Sequence, residues 1–171
     1  MGNQAVKHDV DRSQKVRETK DGYVPNIIRY SDGRIRYAFG QVDINSEIGT
    51  GAQENVRFAL KGHYLPGDEA FHIIPKSWGG SGHHVENFYA GPLNMNRGMD
   101  KQMDVALANF DRVQFSIEFF YTGNNKRPDR FSYIRTVYKK ENGNYIERAT
   151  ETGTDENFSN ELSQTVKSED L

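Results

Sequence analysis

A chain of 171 residues is about the size of one domain, and 35% hydrophobic with 27% charged residues allows a modest core and argues against wholesale disorder. The lack of cysteine excludes disulfides, thiolate zinc sites and cysteine nucleophiles, and no stretch approaches the roughly 20 apolar residues that cross a membrane. The net charge of −2 hides an asymmetry: residues 141–171 carry eight acids and two bases, the rest 20 bases and 16 acids, so a mildly basic body compatible with a polyanionic substrate precedes an acidic end.

Residues 1–20 are charged without a sustained apolar period and read as a flexible arm or a short exposed helix; they contain no apolar segment of a secretory signal. Residues 23–39 read as a hairpin. Tyr23-Val24 and Ile27-Ile28 run into Ser31-Asp32-Gly33, and Ile35, Tyr37 and Phe39 alternate on the way out. Residues 40–53 are Gly-rich and polar, hence loop, and 54–64 fit either strand or helix. A short strand over 70–74 follows the Pro66-Gly67-Asp68 turn and stops at Pro75, and Gly79-Gly80-Ser81-Gly82 reads as a flexible loop. Met99, Met103, Leu107 and Phe110 mark the core face of an amphipathic helix over 97–110. Val113, Phe115, Ile117 and Phe119 alternate as a strand, 124–129 is a turn, and Phe131, Tyr133 and Val137 belong to another strand. Asn142-Gly143 makes a hairpin turn before Tyr145-Ile146, and from about residue 150 the composition predicts disorder. The organisation expected is an arm (1–20), a body (21–150) and an acidic tail (151–171).

Residues 71–104 carry the chemistry: a histidine at a strand end, a glycine-rich loop, then an asparagine opening a helix. Hydrolysis of a phosphodiester needs a base for the attacking water, and imidazole, with an ordinary pKa of about 6.5, suits that task near neutral pH. It also needs a counter-charge for the phosphorane and the leaving oxygen, which a hard cation such as magnesium supplies through oxygen ligands. His72 and Asn96 are the residues of the right type.

Gly67-Asp68-Glu69-Ala70-Phe71-His72-Ile73-Ile74-Pro75, Gly79-Gly80-Ser81-Gly82, Glu86-Asn87-Phe88 and Leu93-Asn94-Met95-Asn96-Arg97-Gly98 together resemble the core of the DNA/RNA non-specific endonucleases, in the ββα-metal (His-Me finger) superfamily. The similarity covers roughly residues 60–110 and is strongest to the secreted bacterial toxin branch. It implies an α+β domain in which a small antiparallel sheet packs on a helix. It also implies His72 as general base, Asn96 as direct metal ligand, Asp104 as contact to metal-bound water, and Asn87 as a residue that orients the site. The cofactor implied is Mg2+, with Mn2+ as substitute. The substrate implied is DNA, with RNA as an alternative, cut without sequence preference to leave a 5′-phosphate. A larger secreted or target-cell-delivered toxin, a cognate immunity protein and no membrane partner complete the picture.

The chain departs from that pattern where Ala70-Phe71 replaces the usual Arg-Gly or Gly-Gly, so another cation must stand in: Arg57 first, then Arg97 and Lys76. The acid of the motif becomes Glu69, and Asp104 replaces a longer glutamate, with Asp100 competing one turn from Asn96. Lys76, Arg97 and Lys101 are candidates for phosphate contact, against a plain solvated face. His72 alone would read as a packed core histidine and Asn96 as a helix cap; the spacing of the downstream pieces favours catalysis and ligation. His83-His84 are adjacent and face apart, which disfavours a metal pair, His8 and His63 belong to no constellation, and Trp78 reads as a packing anchor. Two other readings stay open: a structure-specific or nicking nuclease, and a degenerate nuclease fold that only binds nucleic acid or protein.

Overall fold

The computed structural model describes residues 6–92 and 110–157. Of these, 48% lie in strands and 12% in helix. The dominant element is an antiparallel sheet of five strands: β3 (Asn26–Arg29), β4 (Ile35–Asp43), β7 (Arg112–Phe120), β8 (Arg130–Glu141) and β9 (Asn144–Glu156), in the spatial order β3-β4-β7-β8-β9. Two-stranded sheets are made by β1 (Arg17–Thr19) with β2 (Gly22–Val24), and by β5 (Asp68–His72) with β6 (Phe88–Pro92). Among the described residues the one α-helix is α1 (Glu54–Leu60), extended by a 3-10 turn over Lys61–His63, and no helix is long and apolar enough to cross a membrane.

The sheet follows from alternation. Val113, Phe115, Ile117 and Phe119 face the core along β7, and the register sets Val42, Val113 and Val137 side by side and Phe119 opposite Phe131. The β3–β4 turn closes on Gly33 at φ 92°, as the Asp-Gly pair predicts. Asn142 and Gly143, at φ 51° and 82°, form the two-residue loop that joins β8 to β9. Two consecutive left-handed residues match the twist of the flanking strands. The β5–β6 hairpin lies over the sheet: Ile73, Ile74, Trp78 and Tyr89 share one core with Phe115, Phe119 and Phe131. Trp78 is buried edge-on against Phe110, the anchor its type suggests. A smaller core of Val56, Leu60 and Phe88 fixes α1 on the hairpin and explains why residues 54–60 settle as helix.

The expected α+β ββα-metal (His-Me finger) domain, a small antiparallel sheet packed on a helix, is therefore corrected to a mostly β architecture built on a five-stranded sheet. Strand pairing continues past residue 150: β9 keeps its hydrogen-bonded register with β8 to Glu156 although it is rich in Thr and Glu, because an edge strand needs only one bonded neighbour, and one face of β9 is partly buried. The N-terminal segment also departs from a free arm. Val16 is buried, Val16 N donates to the Gln41 carbonyl and Gln41 N to the Gln14 carbonyl, and residues 17–19 form β1. The helix expected over 97–110 lies, except for Phe110, outside the described residues.

Candidate active site

His72 ends β5, and its ring packs on that of Phe88, its cross-strand partner, with centroids 4.4 Å apart. The imidazole is half-buried, and Nε2 lies 2.8 Å from the carbonyl oxygen of Thr50. A carbonyl oxygen only accepts, so Nε2 carries the hydrogen and, in the neutral ring, Nδ1 is the basic nitrogen. The Thr50 bond fixes the tautomer, and together with the tilted packing on Phe88 it fixes the plane of the imidazole.

Thr50 is itself held by the glycine loop. Thr50 N donates to the Gly80 carbonyl, Gly82 N donates to Thr50 Oγ1 at 2.6 Å, and Thr50 Oγ1 donates to the Asp21 carbonyl. The strand of chain at Tyr23 closes the other side, with Tyr23 N donating to Gly79 O and Ser81 N to Tyr23 O. Gly79, Gly80, Ser81 and Gly82 are all buried, so the expected flexible loop is a packed one. A Cβ at Gly80 would come within 1.7 Å of the Ile74 carbonyl oxygen, and one at Gly82 within 1.8 Å of that of Gly51. Glycine is required there for close approach of three backbones.

Asn87 is 0% exposed and fully used: Oδ1 accepts from Ile74 N at 2.7 Å, while Nδ2 donates to the carbonyls of Ile74 and Ser81 at 3.0 and 2.9 Å. It ties the segment just after His72 to the glycine loop. Arg57 is exposed on α1, and Lys76 is exposed on the 3-10 turn Lys76–Trp78. Asn96, the candidate metal ligand, Asp104, the candidate contact to metal-bound water, and Arg97, Asp100 and Lys101 lie outside the described residues. Among the described residues no three His, Asp or Glu side chains are grouped to hold a metal ion. The adjacent pair splits: His84 Nδ1 is 2.8 Å from Ser81 Oγ, and His83 Nε2 is 3.9 Å from Asp21.

Three participants escaped sequence reasoning. Thr50 acts through a backbone carbonyl, which leaves no mark in the residue type. Ser81 lies in a segment whose composition predicts only loop. Asp68 is a buried acid beside the exposed Glu69, and its partner Arg127 is distant in sequence. Neither a family model nor a curated protein matches the chain.

Proposed function

We propose that the chain is a metal-dependent endonuclease acting on DNA, with RNA as the alternative substrate, in which His72 is the general base. The observation that carries this reading is the Thr50 carbonyl on Nε2, which orients a half-exposed imidazole at a strand end and sets its neutral tautomer, with the lone pair on Nδ1. Support comes as well from the order of residues 67–98, which resembles the non-specific endonucleases, and from Asn87, which fixes the backbone on both sides of the loop.

In the proposed reaction Nδ1 takes the proton of a water attacking the phosphodiester phosphorus, and the 3′ oxygen leaves. Magnesium, or manganese in its place, held by Asn96 directly and by Asp104 through a metal-bound water, would supply charge stabilisation for the phosphorane and leaving oxygen. Arg57 and Lys76, both exposed, with Arg97 and Lys101, are proposed to contact backbone phosphates, which gives binding without base reading. The same resemblance motivates the further proposal that the chain is the toxic part of a larger secreted or delivered protein, restrained by an immunity protein.

Plasmid digestion tests the reading. Wild-type protein should cut, EDTA should stop it, and His72→Ala should lose about 100-fold or more of the rate, the usual worth of a general base. Circular dichroism shows whether the variant is folded. Cutting by folded His72→Ala at the wild-type rate, or cutting indifferent to EDTA, overturns the proposal.

A further inference from the structure

A cavity of about 610 Å3 opens beside the candidate base, separated from the His72 ring by Phe88. Its volume lies in the range of about 300–1,000 Å3 typical of small-ligand sites. Phe88, Tyr89, Phe119 and Tyr121 contribute aromatic rings to its lining. Burial raises the pKa of the Tyr121 phenol, and its hydroxyl donates to the Ile35 carbonyl, so this ring is a neutral, fixed wall.

Cations line it as well. Arg34 is balanced by Asp32 at 2.7 Å and lies over the Tyr121 ring. Arg29 and Lys126 then stand against one further acid, Glu86. Three imidazoles, His63, His83 and His84, complete the lining. The Ser81 hydroxyl accepts from His83 N and lies 2.8 Å from His84 Nδ1, which fixes the His84 ring at the cavity. The pKa of His63 is lowered by burial and secondarily by Lys126, so its charge is gained only under mildly acidic conditions or beside an anion.

We infer that this cavity receives one nucleotide unit of the substrate strand, with the base against the aromatic wall and its phosphate among Lys126, Arg29 and the imidazoles. The inference takes the polynucleotide from the nuclease reading of the His72 site; the cavity itself is defined independently of it. Aromatic stacking favours any base, and phosphate contacts favour any sequence, which agrees with cleavage that does not discriminate sequence.

Calorimetric titration of the full chain in EDTA, where cutting is suppressed, tests it with a nucleoside 5′-monophosphate, the nucleoside alone and inorganic phosphate. The monophosphate should bind about tenfold tighter than either fragment, since stacking and charge both contribute. Lys126→Ala, at an exposed position that does not threaten folding, and His63→Gln should each weaken it about fivefold. Equal binding of inorganic phosphate, equal binding of the nucleoside, no binding, or indifference to both substitutions overturns the inference. A chain that binds the monophosphate yet never cuts plasmid overturns the nuclease reading and keeps the cavity. A chain that cuts plasmid without binding the monophosphate does the reverse.

Discussion

Asp68 and Arg127 form a bidentate ion pair out of reach of water: Nε donates to Oδ2 at 2.6 Å and Nη2 to Oδ1 at 3.1 Å, with the two side chains 0% and 8% exposed. The carboxylate also accepts from Leu65 N, and the guanidinium donates to the Asn157 carbonyl. One interaction thereby joins the start of the His72 strand, the β7–β8 connection and the chain beyond β9. Removing one partner strands the other charge in the interior, so Arg127→Met should destabilise by about 3–5 kcal/mol. Asp68→Leu added to it should recover part of the loss, because an apolar pair leaves no buried charge. Urea unfolding of both single variants and the double variant measures the coupling. A loss under about 1 kcal/mol for Arg127→Met would show the pair to be dispensable.

Thr50 is the positioning residue for His72 in the proposed reaction. Thr50→Val keeps the shape but removes the oxygen that accepts from Gly82 N and donates to Asp21. An unpartnered N–H in that buried loop costs about 1–3 kcal/mol. Loosening the carbonyl that sets the imidazole plane should lower kcat about tenfold with little change in KM, since substrate binding does not use it. Thr50→Ser, which keeps the hydroxyl, should restore both. A Thr50→Val protein that is less stable yet cuts at the wild-type rate would refute the orienting role.

Local signals survived folding, and non-local ones were silent. The alternation of Val113, Phe115, Ile117 and Phe119, the Asp32-Gly33 turn and the Asn142-Gly143 turn each depend on neighbours a few residues away, and each is where the pattern places it. The extent of the five-stranded sheet depends on pairings such as Tyr37 with Glu118, which no local window records. β9 has the composition of a solvated tail, and only its register with β8 makes it a strand. In the site, His72 at a strand end was legible because the residue type carries the chemistry. Its partner was not, because any residue at position 50 could offer the same carbonyl.

The glycine loop shows the same limit from the other side. Its composition suggests freedom, yet a methyl group at Gly80 or Gly82 would meet the backbone oxygen of Ile74 or Gly51. Backbone cannot swing aside as a side chain does, so Gly80→Ala and Gly82→Ala should each cost about 3 kcal/mol or more. Gly62→Ala, with nothing within 4 Å of the added carbon, should be neutral or slightly stabilising. Thermal unfolding of the three variants gives the order; equal midpoints for Gly80→Ala and Gly62→Ala would mean that the loop is not packed as described.

His8 links the N-terminal segment to the outer face of the sheet, with Nδ1 2.6 Å from Ser116 Oγ and Nε2 2.8 Å from Ser132 Oγ. Burial lowers its pKa below the ordinary 6.5; Glu118 opposes the shift and Arg12 adds to it. A lowered value means that the unfolded chain takes up the proton first as pH falls. The stabilising contribution of the neutral ring is therefore whole above about 6.5, declines below it, and levels off once the folded chain is also protonated. His63, lowered by burial as well, acts in the same direction. The melting temperature should thus fall between about pH 7 and about pH 5, and His8→Gln should make that fall shallower while leaving the part due to His63. Parallel curves for His8→Gln and wild type across this window would remove His8 as the source.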